Sequence, residues 1–247
     1  MFRVVIPARW GSSRFPGKPL ALIDGAPMIV RVYERARASR AAGVIVATDD
    51  ARIADAARAA GAEVSMTAPD HASGTDRIAE VARRHGFHAD DIVVNLQGDE
   101  PWMPAAIIDQ VAAALESHPE AAIATAATPL VSRDEYLDPN VVKVVVAGAG
   151  RALYFSRAPI PWDRDAAHGA EPGEAAWRCA QRHIGLYAYR VGALLRIASL
   201  APTRLEQLEK LEQLRALEHG LTIQVVEAAE RPGGDINTPE DLASRSS

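Results

Sequence analysis

Cysteine occurs once in the 247 residues, at position 179. That excludes a disulfide framework and any zinc knuckle built on cysteine pairs. No apolar run approaches the roughly 20 residues that span a bilayer. The opening MFRVVIPARW reads as a strand and not as a cationic leader with an apolar core. A soluble, cytoplasmic protein is therefore expected. A basic excess is missing as well: 27 Lys plus Arg stand against 32 Asp plus Glu, a net charge of −5. A general nucleic-acid binder wants a basic balance or stripe, so neither nucleic acid nor membrane is expected as a partner. Any anionic ligand must be held by a local cluster of cations. Lysine is scarce, with only Lys18, Lys143 and Lys210 among the 27 cations. A compact ammonium and a planar guanidinium do different work, so a chain that otherwise writes arginine draws attention to each of the three.

Short apolar runs alternate with alanine-rich stretches of helical spacing. Residues 2–8, 44–48 and 92–96 read as buried strands, and 27–39, 50–60 and 75–85 as helices. Pro27 and Pro104 suit a first helical turn. The β-α-β-α rhythm predicts an α/β fold with a mixed, mostly parallel sheet covered by helices on both faces. Further strands are expected at 141–146, 153–157 and 183–190, and a long polar loop at 161–178. Residues 202–220 read as the strongest helix, stopped by Gly220. Its leucines, at 205, 208, 211, 214 and 217, drift by about 60° per step on a helix of 3.6 residues per turn. Such a stripe is expected to pack one end on the sheet and the other on a neighbour, or else to wedge within its own domain.

In open parallel sheets ligands bind beyond the carboxyl ends of the strands, which marks residues 9–19, 48–50 and 97–101. The first of these loops lies in ARWGSSRFPGKPL, where Gly11, Ser12, Ser13 and Gly17 mix with Arg9, Arg14 and Lys18. Small residues let backbone N–H groups approach an anion that the cations neutralise. The spacing is not that of a P-loop, and no G-x-G-x-x-G occurs to mark a dinucleotide site. In QGDEP, residues 97–101, Asp99 and less so Glu100 are placed to hold a hard cation such as Mg²⁺; a helix N-cap is the plainer role, and it suits Glu100 better. DHASGTDR, residues 70–77, reads by itself as an N-cap on Ser73 or Thr75.

Taken in order, ARWGSSRFPGKPL, TDD, SGTDR, NLQGDEP, ALYFSRAPIPWDRD, HIGLYAYR and LEQLR closely resemble the 3-deoxy-manno-octulosonate (Kdo) cytidylyltransferases from about Phe2 to Leu242. The resemblance implies a Rossmann-like nucleotidyltransferase fold in a single domain. Its nucleotide half would be about 1–130, and its sugar-binding and dimerisation half about 131–247. It implies that the 2-hydroxyl of Kdo attacks the α-phosphorus of CTP and pyrophosphate leaves, with Mg²⁺ as cofactor and a homodimer as the assembly. CTP would be bound by Ala8, Arg9, Ser13, Arg14, Lys18, Ser73, Arg77 and Gln97. Arg14, Lys18 and Asp99 would be catalytic. Kdo would be bound by Arg157, Arg164, His183, Tyr187, Glu212 and Gln213. Read without the resemblance, His183 is a core histidine and the two arginines are solvated surface.

One departure stands out. The family pattern has a metal-binding aspartate directly before TPEDL, whereas this chain reads RPGGDINTPEDL. Asn237 fills that slot with a neutral oxygen, and Asp235, two residues earlier, would restore the charge because alternate residues of extended backbone share a face. The resemblance leaves room for a sibling cytidylyltransferase acting on sialic acid or amino-Kdo, and for an inactive nucleotide-binding regulator.

Overall fold

In a computed structural model the described residues are 1–11, 15–164, 174–234, 236 and 238–245. A nine-stranded sheet is built from β1 (Phe2–Ala8), β4 (Val44–Thr48), β5 (Glu63–Met66), β6 (Ile92–Asn95), β7 (Ile123–Pro129), β8 (Lys143–Val146), β9 (Ala152–Ser156), β10 (Gln181–Arg190) and β11 (Ile223–Glu227). Its main path runs β11-β7-β10-β6-β1-β4-β5, with β8 and β9 branching from β10. Four of the six pairings along that path are parallel, and the two made by β10 are antiparallel. A two-stranded ribbon, β2 (Leu22–Ile23) with β3 (Ala26–Pro27), stands apart. The mixed, mostly parallel α/β sheet read from the sequence is the one observed.

Strand periodicity explains why both faces are covered. Val4 and Ile6 of β1, Val46 of β4 and Val94 of β6 enter one core cluster, whereas Val5, Ile45, Ala47 and Val93 enter the other. Alternate side chains point to opposite faces, so near-continuous apolar strands need helices on both. The first face is covered by α1 (Met28–Arg37), α2 (Ala51–Ala59) and α4 (Ala105–Ser117), the second by α3 (Gly74–Arg84) and α7 (Val191–Ser199). In α1 the buried residues are Met28, Ile29, Val32, Tyr33 and Ala36, a stripe at helical spacing. Pro27 and Pro104 are N-caps, one residue before the first turn in which the sequence places them.

Two expectations are corrected. The single helix at 202–220 is broken into α8 (Arg204–Glu209) and α9 (Gln213–Glu218), with Lys210 between them in the left-handed region at φ 55°. A stripe drifting about 60° per step cannot keep facing one surface, and the break turns Leu211 and Leu214 into the core while Leu208 stays 77% exposed. Leu205 and Leu217 pack against the same core cluster, so both ends of the stripe meet their own sheet. Across the break Arg215 grips Glu206 with bonds of 2.8 and 2.5 Å, a buried bidentate pair. Of the polar loop expected at 161–178, residues 165–173 lie outside the described residues, and 174–178 fall instead in α6 (Glu174–Cys179), where Ala176 is buried. Between them, α5 (Arg133–Leu137) and α10 (Pro239–Arg245) complete the helices used below.

Candidate active site

The strand ends bring the site together. Beyond β1, Gly17 adopts φ 74°, a left-handed turn open to glycine, and caps a short 3₁₀ turn over Lys18–Leu20. A Cβ there would also lie 2.8 Å from the Trp10 ring, which is in turn covered by the Arg52 guanidinium. This folded loop aims Lys18 across to the end of β6. Its Nζ donates to Asp99 Oδ2 at 2.6 Å and to the Ile236 carbonyl at 2.9 Å. One ammonium thus joins three chain segments far apart in sequence. The Ile236 amide, in return, donates to the Asp99 carbonyl.

A cavity of about 240 Å³ opens beside this contact, lined by Ala8, Arg9, Lys18, Ser73, Arg77, Gln97 and Asp99 among others. Every described residue expected on the CTP side faces it. Ser13 and Arg14 lie outside the described residues. Ser73 caps α3 in a capping box with Asp76, which confirms the N-cap reading and leaves its position at the cavity wall intact. Arg77 is 2% exposed, donates to Thr67 Oγ1 and meets Asp49 Oδ2 at 3.3 Å. Gln97 donates to Asn95 Oδ1 at 3.1 Å. The sequence reading missed His71, which lines the same cavity and pairs with Glu80 Oε2 at 2.5 Å. It sits in the quoted DHASGTDR, yet a histidine before an N-cap has no local signal of its own.

A second cavity, about 400 Å³, is lined by Glu100, Thr128, Asn140, Arg182, His183 and Arg231 among others. Asp99 belongs to the smaller cavity and Glu100 to the larger, so the two flank a single peptide link. The cap of α4 is Pro104, not Glu100. Of the residues expected on the sugar side, His183 lines the larger cavity. The Tyr187 ring lies tilted against it with ring centroids 5.3 Å apart. Glu212 accepts from Ser73 Oγ at 3.0 Å and Thr75 Oγ1 at 2.7 Å, tying α9 to the cap beside the smaller cavity. Burial raises its carboxyl, opposed by those two donors. Gln213 is buried, and its Nε2 has no partner among the described residues. Arg157 gives its Nε and Nη1 to the carbonyls of Glu209 and Pro139 and is not among the lining residues of either cavity. Arg164 is exposed. Arg182 and Arg231, which share the carboxylate of Glu135, are the arginines that reach the larger cavity, and no expectation named them. Asp235 and Asn237 lie outside the described residues.

The protonation of His183 follows from its partners. Thr125 Oγ1 has one proton to give, to the Leu186 carbonyl at 2.7 Å or that of Ile184 at 3.0 Å. With the threonine proton on either carbonyl, His183 Nε2, 3.0 Å from that hydroxyl, is the donor and Nδ1 an acceptor. Burial pushes the ring down to about 3. The unfolded ring takes its proton near pH 6.5, and the folded one refuses it until about 3. Its contribution to stability is complete above pH 6.5 and is lost as pH falls toward 3, by up to about 1.4 kcal/mol per unit. His183→Gln should accordingly flatten the acid limb, by about 1 kcal/mol between pH 6 and 5. Urea unfolding at several pH values checks this, and an unchanged slope would reject it.

Small residues and cations at a strand end, set against a carboxylate on the next strand, define a nucleotidyltransferase type of site. In agreement, a family model described as cytidylyltransferase matches residues 3–223. Proteins named 3-deoxy-manno-octulosonate cytidylyltransferase from Halorhodospira halophila and Pseudomonas syringae pv. tomato are each 56% identical, over 98% of this chain and 94% and 95% of theirs. The chain belongs to this family of 3-deoxy-manno-octulosonate cytidylyltransferases. A solved structure of CMP:2-keto-3-deoxy-manno-octonic acid synthetase complexed with CTP is 42% identical with a TM-score of 0.88, covering 100% of this chain and 97% of that one. A cytidylyltransferase from Leptospira borgpetersenii, 16% identical with a TM-score of 0.58, shares the fold.

Proposed function

We propose that this protein transfers CMP from CTP to the anomeric 2-hydroxyl of Kdo, releasing pyrophosphate and supplying CMP-Kdo for lipopolysaccharide synthesis. The observation that carries the reading is the pair of cavities meeting at Asp99 and Glu100, with Lys18 fixed at the junction. The smaller cavity takes the nucleotide and the larger the acid sugar. The sugar oxygen forms a bond to the α-phosphorus while the bridging bond to the β-phosphate breaks, and the hydroxyl proton is lost. Such a reaction asks the protein mainly for alignment and for charge neutralisation. Lys18, Arg9 and Arg77 supply positive charge around the smaller cavity, and Arg14 of the same loop is assigned the departing pyrophosphate.

Mg²⁺ as cofactor is part of the same reading, with Asp99 as its first ligand. Asp99 offers a part-exposed carboxylate at the junction, and the Ile236 amide is bonded to its carbonyl. Oxygen donors of this kind suit a hard cation, although no cluster of three acidic, histidine or cysteine ligands forms among the described residues. When bound, the ion would neutralise charge on the triphosphate. Asp235→Ala is expected to raise the Mg²⁺ concentration for half-maximal rate about tenfold; an unchanged Mg²⁺ titration would remove Asp235 from the set. A cytoplasmic homodimer is part of the same reading. No helix among the described residues is long and apolar enough to cross a membrane.

The deciding experiment measures pyrophosphate release with CTP, Mg²⁺ and Kdo, beside sialic acid and beside UTP in place of CTP. Release with CTP and Kdo alone is the expected result. Silence with Kdo while CTP still binds would move the assignment to another acid sugar or to an inactive binder.

A further inference from the structure

Lys143 is fully buried, 0% exposed, and no carboxylate pairs with it among the described residues. Its three ammonium protons instead go to three backbone carbonyls: Asp138 at 2.8 Å, Val141 at 2.6 Å and Arg157 at 2.7 Å. An ammonium has three donors and no acceptor, so its bonding is complete without any ligand. Two of the three carbonyls belong to one turn. Within that turn the Val141 amide donates to the Asp138 carbonyl and the Asn140 amide to Asp138 Oδ1. The residues that follow, Asn140, Val141 and Val142, form a wall of the larger cavity, and the His183 amide bonds the Val142 carbonyl at 2.9 Å. From outside, Arg157 Nη1 holds the Pro139 carbonyl of the same turn.

We propose that Lys143 is a positioning residue for acid-sugar binding: its ammonium gathers the carbonyls of Asp138, Val141 and Arg157 and so fixes the Asn140–Val142 wall beside His183. A buried cation is costly, and here its protons are taken by three carbonyls and not by a carboxylate. A planar guanidinium cannot direct three donors at carbonyls converging from three sides, which explains lysine in a chain that otherwise writes arginine. The inference rests on the larger cavity receiving the acid sugar.

The test is Lys143→Met, which keeps the length of the buried stem, with Lys143→Arg beside it. For both, the KM for Kdo should rise at least tenfold, while the Kd for CTP measured by calorimetry without sugar stays within twofold. A loss shared equally by CTP and Kdo, or an unchanged KM in a folded variant, overturns the proposal. If wild type turns over only another acid sugar, the reading of Kdo fails and the same comparison is made with that sugar. Should neither variant fold, or wild type turn over no sugar, hydrogen exchange of wild type decides. Slow exchange at the Val141 and His183 amides without sugar supports a prebuilt wall, and exchange as fast as an open loop overturns it.

Discussion

Lys18→Met is expected to slow pyrophosphate release by about 10²–10³-fold while the protein remains folded. Lys18 is held at both ends. The left-handed turn at Gly17 and the buried Pro19 set its backbone, and Asp99 Oδ2 and the Ile236 carbonyl fix its Nζ. A cation fixed in advance at the junction of the two cavities costs no reorganisation when charge moves onto the departing pyrophosphate. Its side chain is only 14% exposed, so water replaces it poorly. Methionine fills the space and removes the charge, which separates electrostatics from packing. Lys18→Arg keeps the charge but brings a planar fork to a point-charge site, and should recover less than a tenth of the lost rate. The check is single-turnover pyrophosphate release at saturating CTP and Kdo. A Lys18→Met rate within threefold of wild type would show that Lys18 is a structural tie and not part of the chemistry.

The smaller cavity was legible in the sequence and the larger much less so. Parallel strands deliver their loops to one edge, so reading 2–8, 44–48 and 92–96 as strands of one sheet marks loops 9–19, 48–50 and 97–101, and the pairing of β1 with β6 brings the first and last of these together. Ser73 and Arg77 come only with the family resemblance, since DHASGTDR by itself reads as the N-cap it also is. In the second half the contacts are non-local. Arg157 ends bound to Glu209 and Pro139, and periodicity carries no trace of such a pairing. Arg182 adjoins the quoted HIGLYAYR, yet its reach into the larger cavity depends on the antiparallel register of β10 with β7 and β8. The strand IATAATP, Ile123–Pro129, escapes notice because alanine and threonine give no strong apolar run. The leucines of 202–220 misled for the opposite reason: a regular spacing suggested one helix, while burial required a break at Lys210.

The two cavities are also joined behind the junction. Glu212 binds the hydroxyls of Ser73 and Thr75 at the start of α3, and Tyr187, beside His183, lies in the strand that pairs with β6. These ties leave the junction little slack.

Gly98 is where that slack is smallest, and Gly98→Ala is the second large effect expected. A Cβ on Gly98 would lie 2.9 Å from the Pro7 carbonyl oxygen and 3.5 Å from the Ala8 Cβ. The first neighbour is backbone at the end of a buried central strand, so no side chain can rotate away. Relief has to come from the 97–101 loop moving off β1, and Asp99 moves with it. Its contact with Lys18 spans 2.6 Å between two fixed ends, so a shift of several tenths of an ångström breaks it or drags Lys18 along. Misplacement on the ångström scale costs about 10²-fold in a reaction that depends on alignment. A fall of that size in kcat is expected, together with a stability loss of about 1–3 kcal/mol from overpacking. Steady-state kinetics and urea unfolding measure the two separately. A variant that lost stability but kept kcat within twofold would show that the loop yields without moving Asp99, and would place the alignment of the reacting groups elsewhere.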